Sequence, residues 1–203
     1  HWEWTEVRAG WRSQRCGILF REWDKWSRWG RDNGLYAVVT QALALSVIGY
    51  PFILPDMIGG NAYNNELPDR ELLIRWTQVT ALLPAMQFSI PPWAYDDETV
   101  AICRRYVALH EQLGPYIETL LKAAVAGPAP LVRPLWWDYP QDAETLGIDD
   151  QWLFGPQLLV APILQPGQTT RRVYLPAGHW RDYWTHNEIE GPATIEAYPA
   201  PLE

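Results

Sequence analysis

The chain reads as a parallel α/β unit followed by an all-β unit, and three observations predict this. Up to residue 126, helical patterns alternate with short apolar runs, as expected for strands buried by crossover helices. Beyond Gly127 the texture changes to short β-rich segments divided by Pro and Gly. Finally, two acidic turn segments, Trp29-Gly30-Arg31-Asp32-Asn33-Gly34 and Asp56-Met57-Ile58-Gly59-Gly60, flank an apolar run of helical length. A parallel sheet or barrel brings carboxylates to one rim in this way.

Residues 1–28 are irregular and aromatic; Trp2, Trp4, Trp11, Trp23, Trp26 and Trp29 fall in the first thirty positions. Such rings suit a packed core, and they equally suit a sugar site, where an apolar face and an indole N–H are both useful. Leu35 to Ile48 is apolar on every face between Gly34 and Gly49, which predicts a buried helix. Tyr50 to Leu54, bounded by Pro51 and Pro55, fits a buried parallel strand. Leu72, Leu73, Trp76, Val79, Leu82 and Leu83 recur at helical spacing, with Pro68-Asp69 as the start signal and Pro84 as the stop. Ala85 to Ile90 fits a further strand. Asp96-Asp97-Glu98 opens a long helix towards Ala126, with a kink expected at Gly114-Pro115. Leu131 to Trp137, Gln157 to Leu164 and Arg172 to Leu175 read as strands, and Pro176 to Trp180 as a turn. A boundary is expected near residues 128–135.

With 203 residues, 48% of them hydrophobic and 20% charged, the chain is long enough to bury a core and belongs with globular proteins. Its net charge of −8 and lack of any basic run argue against nucleic acid and against an anionic membrane surface. The four His (His1, His110, His179 and His186) show no zinc spacing, and Cys16 and Cys103 form no CxxC pair. There is no P-loop and no GxGxxG.

Asp32 has two readings: an N-cap for the helix that follows, or a carboxylate facing a pocket. Asp56 is either an Asx-turn or a pocket acid at a strand end. Arg12 is a surface cation or a fork for sugar hydroxyls and carboxylates. Arg75 sits beside core positions, where an ion pair with a loop acid and a ligand contact are both open.

Several segments together resemble glycoside hydrolase family 31. They are Trp11-Arg12-Ser13, Trp29 to Asn33, Asp56 to Gly60, Arg75-Trp76, Pro115-Tyr116, Val132 to Leu135, Leu158 to Pro162 and Val173 to Trp180, all in the family's order. The resemblance covers essentially the whole chain. It implies the C-terminal half of a (β/α)8 TIM barrel over residues 1–127, then part of an all-β sandwich domain over residues 128–203. The activity implied is a retaining exo-acting α-glycosidase with a carbohydrate substrate and neither metal nor organic cofactor. Asp32 would be the general acid/base, Arg12 and Asp56 would hold sugar hydroxyls, and Trp29 would form an apolar wall. The nucleophilic Asp would lie upstream, about 5–5.5 Å from the acid/base in the folded enzyme, so this chain alone is expected to be inactive. Gln87-Phe88-Ser89 stands where the α-glucosidases carry a sugar-binding His, and Arg31 interrupts the common Gly-Asp pair. Both departures fit an α-galactosidase-like branch. The compartment implied is the secretory pathway, in the endoplasmic reticulum lumen or lysosome, with any membrane anchor outside this chain. Two rivals stay open: a sugar-binding pseudoenzyme or lectin-like protein, and an interaction domain in which Asp32 and Asp56 are only caps.

Overall fold

The computed structural model describes residues 5–203. The readings that involve His1, Trp2, Glu3 and Trp4 lie outside the described residues. Three short parallel strands form one sheet: β1 (Glu6–Val7), β2 (Leu19–Arg21) and β3 (Ile53–Leu54), with β2 central. Glu6 pairs with Leu19, and Phe20 pairs with both Val7 and Ile53. A parallel bridge between Ile58 and Phe88 marks the next strand position. The strand expected over Ala85 to Ile90 is therefore reduced to a single bridge, in which the Gln87 carbonyl accepts from Ile58 N–H at 2.7 Å.

Helix α1 (Leu35–Val47) connects β2 to β3. Its all-round apolar sequence is explained by its position, with β3 on one side and the β-rich part of the chain on another. Helix α2 (Arg70–Thr80) starts where Pro68-Asp69 predicts, because the Asp69 carboxylate accepts the free Leu72 N–H. Helix α3 (Asp97–Ala126) is capped in the same way by Asp96, which accepts from Thr99 N–H at 2.7 Å. It continues as one helix through Pro115.

Strands β4 (Val132–Pro134), β5 (Trp152–Phe154) and β6 (Leu158–Val160) make an antiparallel sheet, and β7 (Thr170–Arg181) pairs with β8 (Glu188–Pro199) as a long ribbon. The structure corrects the sequence reading at two points here. Leu135 to Asp138 forms a helical turn, α4, rather than continuing the strand. The Pro176 to Trp180 segment is no turn: it stays within β7, which shifts register between Leu175 and Gly178. A bulge in a two-stranded ribbon accommodates a Pro that cannot donate to the ladder. Gly191 lies opposite, and a Cβ there would come within 2.0 Å of the Pro176 carbonyl oxygen.

One apolar core joins both parts. Val38, Leu73, Trp76 and Leu120 from the helices pack with Val132, Trp152, Phe154 and Val160 from the β sheet. Two partly buried hydrogen bonds bind the same seam: Trp152 Nε1 donates to the Leu82 carbonyl, and the Tyr116 hydroxyl donates to the Phe154 carbonyl. Among the described residues Arg75 forms no ion pair with a loop acid. Its guanidinium donates to the carbonyls of Gln168, Ala200 and Pro201, clasping the last residues of the chain onto α2. Among the described residues no helix is long and apolar enough to cross a membrane.

Candidate active site

Ionisable side chains cluster where the three parallel strands end. Arg8 follows β1, Asp24 follows β2 and Asp56 follows β3. Parallel strands all point their C-terminal ends the same way, so residues just beyond them share one rim.

Asp56 is the hub. It is fully buried, with a left-handed backbone (φ 56°) that Asp tolerates better than most residues. Its Oδ1 accepts from Arg21 Nε at 2.9 Å and from a second nitrogen of the same guanidinium at 2.6 Å. Its Oδ2 accepts from Lys25 N–H at 2.8 Å and from Asn61 Nδ2 at 2.7 Å. A carboxylate offers roughly four lone-pair sites, and here four donors meet them.

Arg21 extends the network. Its guanidinium also reaches Glu6 at 3.4 Å and Asp24 at 3.8 Å. Asp24 pairs with Arg8 at 2.7 Å and accepts the Tyr63 hydroxyl at 2.5 Å. The Tyr63 hydrogen bond, helped by Arg8 and Arg21, holds the Asp24 carboxyl below its usual range despite partial burial.

The loops carrying these groups are knitted together. Asn61 N–H donates to the Lys25 carbonyl and Ala62 N–H to Ser27 Oγ, while the Trp26 and Tyr63 rings meet edge to face at 5.1 Å. Gly60 makes this approach possible. Its φ is +76°, and a Cβ would lie 2.8 Å from Ser27 N.

Of the residues expected from sequence, Asp56 lies in this cluster and the others lie elsewhere. Asp32 is exposed on the approach to α1, and it is not the helix cap: Gly34 takes that position with no side-chain hydrogen bond. Its neighbour Asn33 turns back instead, accepting from Trp26 N–H at 2.6 Å and donating to the Asp24 carbonyl at 3.0 Å. Trp29 is half-buried against the core. Arg12 is exposed in the loop from β1 to β2, where Ser13 Oγ meets the Tyr50 hydroxyl at 3.3 Å. Tyr50 precedes β3, so Arg12 sits towards the N-terminal end of the strands. It lines an open cavity of about 540 Å³ with Gly49, Pro51 and Ala124. Arg31, the interrupting residue, reaches over the Tyr36 ring to pair with Asp149.

Sequence reasoning passed over Arg8, Arg21 and Asp24. The signal that finds them is the strand end itself: Arg8 lies one residue past β1 and Asp24 three past β2. Both strands are only two or three residues long and lie in the segment read as irregular, so the rim was not visible.

Chemically, the Asp24 carboxylate, the Arg8 and Arg21 guanidiniums and the Tyr63 phenol stand at the edge of an α/β sheet over the saturated Asp56, a set suited to a polyhydroxylated ligand. The model for the glycosyl hydrolases family 31 TIM-barrel domain matches residues 12–120, and that for the glycosyl hydrolase family 31 C-terminal domain matches residues 128–203. The chain is 46% identical over 98% of its length to the myogenesis-regulating glycosidase of Mus musculus. It is 37% identical over 80% of its length to α-glucosidase 2 of Bacillus thermoamyloliquefaciens. A family 31 α-xylosidase from a soil metagenome, solved with xylose, superposes with a TM-score of 0.85 at 31% identity over 98% of the chain. This chain belongs to glycoside hydrolase family 31, as part of its TIM barrel with the C-terminal β domain. It spans 29%, 22% and 33% of the lengths of those three proteins.

Proposed function

We propose that the protein containing this chain is a retaining exo-α-glycosidase that removes a terminal α-linked galactose, with glucose the less favoured sugar. Asp24 is the general acid/base in this reading, and the nucleophilic Asp lies upstream of the chain. The observation that carries the assignment is the placement of Asp24 just past β2, linked through Arg21 to the buried Asp56. Asp32, the acid/base suggested by resemblance alone, is exposed on the approach to α1. Arg8 and Arg21 face sugar hydroxyls, and Asp56 keeps Arg21 aimed.

A general acid must be protonated near working pH, and Tyr63 and Arg8 oppose this. The negative charge of a nucleophile across the barrel raises the Asp24 carboxyl and restores its proton. The galactose preference is supported by Gln87-Phe88-Ser89. There the Ser89 hydroxyl is committed to the Gly60 carbonyl at 2.7 Å, where the α-glucosidases have a sugar-binding imidazole.

The test is made in the full-length protein, with Asp24→Ala and Asp32→Ala assayed on nitrophenyl α-galactoside and α-glucoside. Asp24→Ala is expected to lose about 10²–10⁴-fold in turnover and to regain part of it with azide, while Asp32→Ala stays near the parent. The reverse pattern returns the role to Asp32. Sugar binding without turnover by the parent protein supports the pseudoenzyme instead.

A further inference from the structure

We propose that Lys25 is a positioning residue, whose buried side chain locks the Asp24 carboxyl and the Asp56 loop into one rim; this rests on the reading of Asp24 as acid/base. Lys25 directly follows Asp24 and is wholly buried, which is unusual for an ammonium group. Its ammonium donates hydrogen bonds to two acceptors and lies close to a third group. These are the Trp23 carbonyl at 2.5 Å, Gln41 Oε1 on α1 at 2.7 Å, and the Glu22 carboxyl at 3.1 Å.

The main chain of the same residue holds the other side. Its N–H donates to Asp56 Oδ2 at 2.8 Å, and its carbonyl accepts from both Asn61 N–H at 2.9 Å and Asn61 Nδ2 at 3.1 Å. One residue therefore ties the end of β2, the body of α1 and the loop after β3 to each other. Burying an ammonium is costly unless geometry and hydrogen bonding compensate, and here the compensating acceptors lie on the segment after β2 and on α1. The side chain is fully buried and its ammonium reaches Gln41 on α1, so it acts through its neighbour and not on the sugar. Glu22 is its buried companion: among the described residues its carboxyl makes no polar contact other than with Lys25 Nζ.

A displaced acid slows the first, glycosylation step, which kcat/KM reports, only where the leaving group needs a proton. In the full-length protein, kcat/KM is measured on two α-galactosides, one with nitrophenol and one with methanol as leaving group. Lys25→Met keeps the buried stem and removes the ammonium. It is expected to lower kcat/KM on the methyl glycoside by about 10- to 100-fold and on the nitrophenyl glycoside by less than about 3-fold. Equal losses on both, or no loss on either, overturn the proposal. Asp24→Ala is run alongside: if it shows no leaving-group dependence, the acid assignment fails, whereas selectivity in Asp24→Ala but not in Lys25→Met rejects the positioning role alone. Where Lys25→Met does not fold, Gln41→Leu removes one of its acceptors and is read in the same way. Amide exchange provides a readout independent of turnover. Lys25→Met is expected to raise exchange at Lys25 and Asn61 at least about tenfold, and unchanged protection there overturns the proposal.

Discussion

Replacing Asp56 by Ala removes the acceptor on which four donors converge. The Arg21 side chain is then a buried cation, about a tenth exposed, without its principal counter-charge. Breaking a buried ion pair from one side costs about 3–5 kcal/mol, and an orphaned buried N–H such as that of Lys25 adds about 1–3 kcal/mol. Glu6 at 3.4 Å and Asp24 at 3.8 Å remain close enough to Arg21 to recover part of this. The Ala must also adopt the left-handed backbone that Asp56 holds, a further cost of about 1 kcal/mol. The net expectation is a loss of about 4–5 kcal/mol. Urea titration of the full-length protein, followed through Trp fluorescence, checks it. With a slope of about 2–3 kcal/mol/M, the first transition moves down by roughly 1.3–2.5 M. Asp56→Asn keeps the backbone preference and one acceptor but turns an amide N–H₂ against other donors, so it falls between the parent and Ala. A loss under about 1 kcal/mol for Asp56→Ala would refute the idea that the rim is built on this carboxylate.

Two further outcomes are expected. Burial raises the Glu22 carboxyl to about 8, against the pull of Lys25. The folded state then binds more protons than the unfolded one between the ordinary carboxyl range and pH about 8, so stability falls as pH rises through that window. Glu22→Gln flattens this slope in denaturation profiles taken from pH 5 to about 9, and an unchanged slope disproves the link to Glu22. Gly60→Ala places a methyl 2.8 Å from Ser27 N at φ +76°. It is expected to cost about 1–3 kcal/mol and to reduce activity by parting the two loops, as calorimetry and turnover of the same preparation can show.

The helices were legible because their signals are local. Asp69 and Asp96 cap α2 and α3 where the sequence places a start, and the apolar faces of α1 are explained by neighbours on more than one side. The parallel strands were not legible. Glu6–Val7 and Leu19–Arg21 are too short to show alternation, and β2 ends in a charged residue whose partner, Asp56, lies 35 positions away. Without those strand ends, motif resemblance settled on Arg12 and Asp32, while the proposed function rests on Arg8 and Asp24, which lie just past β1 and β2. In the β part, β5 and β8 were missed, and Pro176 to Trp180 read as a turn because a bulged strand and a turn use the same residues. Family resemblance supplied what periodicity could not, since the pairing of distant strands is a long-range property.

The seam between the helices and the β sheet has a consequence for inherited variation. Trp152 and Phe154 are fully buried in the same core as Leu73 and Trp76, and neither is among the hydrogen-bonded groups of the rim. Substitutions at such positions lower the folded fraction without altering the chemistry of the molecules that do fold. A change in cellular abundance, with turnover per folded molecule preserved, is the phenotype this architecture imposes on damage far from the carboxylates.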